Sequence, residues 1–233
     1  MSAIMKRDFQ SYFISPIGYI FCGVFVLLVN AMFFINNIYD MNSDVRPVFV
    51  FMLNTLIYLV PILTMRSFSE EFKAKTDQLL MTAPVKISEI VAGKYFAAMG
   101  VFLVALAPSL MHWGIVAIYG TPESWVIIGN YVAVILVASA FVSIGMFASS
   151  LTENQLISAV ICLAFLIATQ LLDLLSIAGG ILADIGTYLS FFARFQNGFA
   201  MGVFSVADLV FYFSVTLIFL FLTTRVLEKK RYS

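Results

Sequence analysis

Residues Met65–Lys94, MRSFSEEFKAKTDQLLMTAPVKISEIVAGK, decide how the rest of this chain is read. They form a long charged segment in a sequence that is otherwise nearly continuous hydrocarbon. On either side lies an apolar run long enough to cross a bilayer. At about 100° per residue, Phe68, Phe72, Leu79 and Ala83 share one helical face, with Thr76 at its edge. Glu70, Lys73 and Asp77 fall opposite. Lys75 interrupts the apolar face, although its long stem can snorkel. An amphipathic helix of this kind lies in a membrane interface or offers a face to a partner. Pro84 stops it, and Ser88 with Glu89 opens the next helix. The plainer alternative is a juxtamembrane linker that binds nothing.

Composition sets the class. The 233 residues are 62% hydrophobic and 11% charged, against about 25% charged in soluble domains. Mean hydropathy is +1.01. The chain therefore reads as an integral membrane protein. Its formal net charge of zero gives no basis for nucleic-acid binding. Cys22 and Cys162 both sit inside apolar runs, where cysteine acts as a small packing residue. The first apolar run is too long for a cleavable signal and reads as a retained anchor.

The expected architecture is all-α and polytopic, with six transmembrane helices. Met5, Phe9, Tyr12 and Phe13 share a face, so residues 1–15 read as an interfacial helix ended by Pro16. Spans are expected over residues 17–37, 48–65, 90–119, 130–150, 156–175 and 208–224. Pro61 breaks the second span. The third exceeds the roughly 20 residues a bilayer needs, so it tilts or kinks near Pro108. Residues 66–89 are the charged segment, and 120–129 form a turn. Residues 176–207 are apolar but broken by glycines and contain Asp184 and Arg194, which suggests a re-entrant or interfacial hairpin. Six spans put both termini on one side. Eleven of the thirteen lysines and arginines fall on that side, with only Arg46 and Arg194 opposite. The positive-inside rule then makes the termini and the charged segment cytoplasmic and the hairpin outward-facing.

Chemistry is sparse. The Gly93-Lys94 pair lacks the upstream glycine and the following Ser/Thr of a P-loop. No HExxH or CxxC occurs, and His112 is the one histidine. Beside Trp113 it reads as a satisfied polar residue near a span end, with haem ligation as the alternative. His112 apart, the span interiors are expected to hold no ionisable group. Asn30, Asn54 and Gln170 fit interhelical hydrogen bonding, and Asp208 fits a cap on the last span. Such a chain has no energy source of its own, but it has a structured element through which a soluble partner could do work on it.

Three motifs then carry a resemblance. They are Arg66-Ser-Phe-Ser-Glu-Glu71, Thr76-Asp-Gln-Leu-Leu-Met-Thr-Ala-Pro84 and Glu89-Ile-Val-Ala-Gly-Lys94. Together they resemble the cytoplasmic signature of ABC-2 type transporter permeases, nearest to the gliding-motility-type subunits. Lys6-Arg7-Asp8 with Ser15-Pro16-Ile17-Gly18-Tyr19, and the run Gly145 to Asn154, are similar to other parts of that group. The resemblance covers most of the chain. Two positions depart: Lys75 stands where the family has glycine, which suggests a more regular helix there, and Gln78 stands where it has glutamate.

The resemblance implies a non-enzymatic permease subunit, most naturally an exporter, in a bacterial inner membrane. It would bind no cofactor itself, because ATP is bound by a separate ATP-binding subunit. A second permease chain, identical or different, would complete the transmembrane unit within the lipid bilayer. The part from Thr76 to Pro84 would be the coupling helix in a cleft of the ATPase. Glu70 and Glu71 would fix the interface to basic neighbours, and Leu79 and Leu80, with Met81, would supply apolar contact.

Two other classes compete. A self-sufficient secondary carrier or channel needs a charged or carbonyl-lined path at mid-membrane, and the spans show little of one. A membrane-embedded enzyme or haem protein needs a catalytic constellation, and none is visible.

Overall fold

The structure is a computed structural model that describes residues 2–76, 86–119, 123–175, 186, 188, 190–203 and 205–232. Among the described residues there are helices and no strands, and six helices are long and apolar enough to cross a membrane.

α1 (Ser2–Ile14) is followed by a bend at Ser15 and by α2 (Pro16–Phe33), which opens on Pro16 where a missing N–H costs nothing. Gly18 makes this sharp corner possible, because a Cβ there would stand 2.5 Å from the Tyr12 carbonyl oxygen. Phe21, Phe25, Val29 and Phe33 recur every fourth residue and form the buried stripe of α2. Beyond Phe33 the helix continues as a π-helix, Phe34–Tyr39, so the first span runs past Asn37.

α3 (Arg46–Thr64) and α7 (Ser124–Leu151) form the centre of the bundle, with α5 (Ile87–Leu106) beside them. Of their most apolar stretches, 67% and 78% respectively is buried in protein. The corresponding figure is 17% for both α8 (Gln155–Leu175) and α10 (Val206–Tyr232), which are therefore peripheral. Close approach of α3 and α7 depends on Gly145: a Cβ there would overlap Thr64 Oγ1 and come within 2.8 Å of Thr64 Cβ. Pro61 does not break α3, which continues for three residues beyond it.

The α-helical hydrogen bonding of the third span is interrupted where Pro108 sits. There α5 passes through a 3-10 turn, Ala107–Ser109, into α6 (Leu110–Tyr119). The expected turn over 120–129 is shorter than the sequence suggests, because α7 already begins at Ser124. Asn130 does not interrupt it: its side-chain amide donates back to the Val126 carbonyl at 2.7 Å. The last span likewise runs past Thr224 to Tyr232. An Arg225–Glu228 pair at 2.9 Å and basic residues in its final turn both suit a helix C-terminus.

Asp208 lies inside the first turn of α10 rather than capping it, and it pairs with Arg194. Arg194 sits in the short α9 (Phe191–Asn197) and also lies over the Phe211 ring at 4.4 Å. The Phe191 ring is 5.6 Å from that of Phe141 on α7, and Tyr212 donates to the Phe191 carbonyl at 2.7 Å. Gly202, at φ +77, packs on Val126. Asp184 and the rest of 176–185 lie outside the described residues.

The polar side chains expected to bond between helices do so. Gln170 donates to Asn54 at 2.9 Å, and His112 Nε2 is 2.8 Å from Asn30 Oδ1. The His112 ring also stacks on Phe33 at 4.0 Å.

The charged segment departs most from expectation. Its described helix, α4 (Ser69–Lys73), is five residues long. The regular helix expected through Lys75 is absent: Lys75 takes φ +56, a left-handed conformation that ends the helix. Leu79, Leu80, Met81 and Pro84 lie outside the described residues.

Candidate functional site

The residues flanking α4 meet the ends of α1, α5, α7 and α10. Phe68 and Phe72, four apart, turn inward and are 2% and 6% exposed. The neighbouring carboxylates stand at the edge of that buried face and find cations there. Glu71 Oε1 accepts a hydrogen bond from Lys94 Nζ at 2.8 Å and lies 3.3 Å from Arg7 Nη2. Lys94 Nζ is also 3.1 Å from Asp8 Oδ2, an ion pair without hydrogen-bond geometry. Glu70 takes a two-point bond from Arg66, at 2.6 and 2.9 Å.

Lys94 is the centre of this group. It lies two turns into α5 and only 6% of it is exposed. An ammonium so buried is costly unless paired, and two carboxylates from different elements pair it. Its Nζ also lies 5.3 Å from the centre of the Phe68 ring. The expectation that His112 is the sole ionisable group within the spans is thus corrected.

Backbone groups are fixed as firmly as the charges. Ser149, near the end of α7, accepts from the N–H groups of Phe68 and Ser69 at 3.0 and 3.2 Å. It donates to the Met65 carbonyl at 3.1 Å. One hydroxyl therefore joins α7 to the turn where α3 leaves the bundle. On the far side, Lys230 of α10 donates to the Ser150 carbonyl at 3.1 Å and stands 3.7 Å above the Phe72 ring. Thr76 turns back on the segment, its N–H reaching the Glu71 carbonyl at 3.0 Å.

α1 is not a free surface helix. Tyr12 is buried and Phe9 packs against Gly100 of α5, leaving Met5 as the exposed member of the expected apolar face. The Tyr12 hydroxyl pairs with Ser67 at 3.3 Å, and burial pushes its pKa up to about 12. Between α1 and the charged segment lies a cavity of 330 Å³, lined by Arg7, Arg66, Glu70, Glu71, Thr76 and Lys94, among others. Residues 66–76 are joined to α1, α5 and α7 by ion pairs and hydrogen bonds, and to α10 by the Lys230 ammonium over the Phe72 ring. Among the described residues no three His, Cys, Asp or Glu side chains converge as metal ligands.

Of the expected site residues, Glu70, Glu71 and Thr76 stand together in this cluster. Arg7, Asp8, Lys94, Ser149 and Lys230 join them; the first four lie within stretches that carry the resemblance, but no pattern in the sequence gives any of the five a place in the site. A lysine within an apolar helix was the available signal for Lys94. The serine and Lys230 gave none, since their roles arise from contacts some eighty positions away in sequence. No protein-family model matches this chain, and no curated protein matches it.

Proposed function

We propose that this chain is the membrane-spanning subunit of an ABC-2 type ATP-binding cassette transporter, an exporter driven by a separate ATPase. One observation carries the reading: the segment between the second and third spans is tied by Lys94, Arg7, Ser149 and Lys230 to the ends of α5, α1, α7 and α10. A linker that does no work has no use for such attachment. A part that receives force and distributes it to the spans does.

In this reading the end bearing α1 and α4 is cytoplasmic, as the distribution of lysine and arginine favours. Glu70, Glu71 and Thr76 belong to the base of the coupling element, and Leu79, Leu80, Met81 and Pro84 form the part that meets the ATPase. A second permease chain completes the unit. Residues 176–207 form an outward re-entrant hairpin, a reading supported by the depth at which Phe191 meets Phe141, more than halfway along α7.

The experiment is purification of the tagged full chain from its native membrane, with ATP turnover measured on the purified material. An ATP-binding subunit should copurify. Leu79→Asp combined with Leu80→Asp should abolish its stimulated turnover while the chain still inserts. Purification without any ATPase, together with substrate flux by the chain alone in vesicles, would overturn the reading.

A further inference from the structure

Two cavities open at the end of the bundle opposite the charged cluster, and they share Ser43. One is a groove of 700 Å³ walled by Phe33, Ile38 and Met41 from the first span and its loop, and by Ile115, Val116 and Ile118 of α6. Asn37, Asn42 and Ser43 form its polar rim, and no charged side chain among the described residues lines it. Its size is that of a small-molecule site, about 300–1,000 Å³. The other cavity is polar, 230 Å³, and is lined by Ser43, Asp44, Arg46 and Glu123, among others.

The loop between them is built rather than slack. Asn36 and Asn37 both donate to the Asp44 carbonyl, at 3.0 and 3.1 Å, and Asn37 also donates to the Asn42 carbonyl at 2.7 Å. Among the described residues, Asp44 is the one hydrogen-bond partner of the Arg46 guanidinium, reached through Nε at 2.8 Å. The Arg46 side chain remains 47% exposed. Asp44 is held as an anion. Burial pushes its pKa up, but the hydrogen bonds and charge of Arg46 outweigh that and bring the carboxyl below its ordinary value.

We propose that the paired cavities seat one phospholipid with an ethanolamine headgroup. The acyl chain lies in the groove, the phosphate meets Arg46, and the ammonium meets the carboxylates of Glu123 and Asp44. The groove opens between the first and third spans, whose most apolar stretches are only 28% and 39% buried in protein, so it faces the side on which lipid would lie. Chain burial there exchanges lipid for protein and gives little selectivity. The headgroup pocket supplies it. One cation and two anions line that pocket, which disfavours a purely anionic headgroup. A choline headgroup cannot donate a hydrogen bond to a carboxylate, and no aromatic side chain among the described residues lines the pocket to form a cage around it. A primary ammonium satisfies both carboxylates while its phosphate answers Arg46. This proposal does not depend on what the chain transports.

The test uses the full chain in nanodiscs made from equal amounts of ethanolamine, choline and glycerol phospholipids with matched acyl chains. After stepwise delipidation, the retained lipid is quantified by mass spectrometry. The ethanolamine lipid should be enriched about fivefold over each of the others, the scale of one partly exposed charge-assisted contact. Glu123→Gln should bring that enrichment close to one without lowering total retained lipid. Ser43→Trp, which fills the junction, should reduce retention of all three, with helix content by circular dichroism unchanged. Equal retention of the three lipids by the native chain, preference for the glycerol lipid, or undiminished ethanolamine enrichment in Glu123→Gln would each overturn the proposal.

Discussion

Lys94 Nζ donates to Glu71 Oε1 at 2.8 Å across 23 positions of sequence, joining the interior of the third span to the charged segment that precedes it. Asp8 is the second carboxylate on the same ammonium. All three side chains are largely buried, so the pairing depends on each member being present.

Replacing Lys94 with methionine should therefore destabilise the protein by about 3 kcal/mol, because two largely buried carboxylates lose their buried partner and share only the half-exposed Arg7. Adding Asp8→Asn and Glu71→Gln should recover most of that loss, because it removes the excess buried negative charge and leaves only the half-exposed Arg7 to be solvated by water. Equilibrium unfolding in mixed detergent micelles measures both. A triple variant no more stable than Lys94→Met would show that the network is not what stabilises this end of the bundle.

Ser149→Ala should loosen the charged segment selectively. It removes the acceptor for the Phe68 and Ser69 N–H groups, leaving two buried donors unsatisfied. Each such donor costs about 1–3 kcal/mol. Amide hydrogen exchange should accelerate over residues 66–76 and stay unchanged in the middle of α5. Uniform acceleration across both would instead indicate global unfolding.

Lys75→Gly should stabilise. At φ +56 a lysine carries a steric cost that glycine escapes, offset in part by the greater freedom of glycine in the unfolded chain. The net gain expected is about 0.5–1 kcal/mol, read as a higher unfolding midpoint. Lys75→Ala, which keeps the Cβ, should show no such gain.

Tyr12 predicts an alkaline transition. Burial raises its pKa to about 12 in the folded chain, against the ordinary value of about 10. A raised value means the fold favours the protonated phenol. Its contribution is fully present below pH about 10 and is lost as pH rises from there through about 12. Across that window the native chain should lose about 2–3 kcal/mol more than Tyr12→Phe does. Parallel unfolding curves for the two proteins would refute the assignment.

Gly145→Ala should destabilise by about 1–3 kcal/mol, since the added methyl group overlaps Thr64 where α3 and α7 touch. Gly114→Ala, where nothing lies within 4 Å, is the matched control and should gain up to about 1 kcal/mol from helix propensity alone. Thermal unfolding of the two variants side by side separates packing from helix propensity.

The amino-acid sequence by itself determined the all-helical class, the six apolar spans, an irregularity at Pro108 and the charged interruption between spans two and three. These follow from local properties: runs of hydrocarbon, prolines, and residues that recur on one helical face. Span ends were less legible. Asn130 reads as a boundary, yet it bonds its own backbone and stays inside α7. Only the tertiary structure decided that Lys94 is a network centre, and that Ser149 and Lys230 hold the charged segment. A serine or a lysine gives no periodic signal. Its meaning depends on which distant carbonyl, ring or carboxylate the packed helices bring within about 3 Å of it, and at that range a buried charge must find a partner.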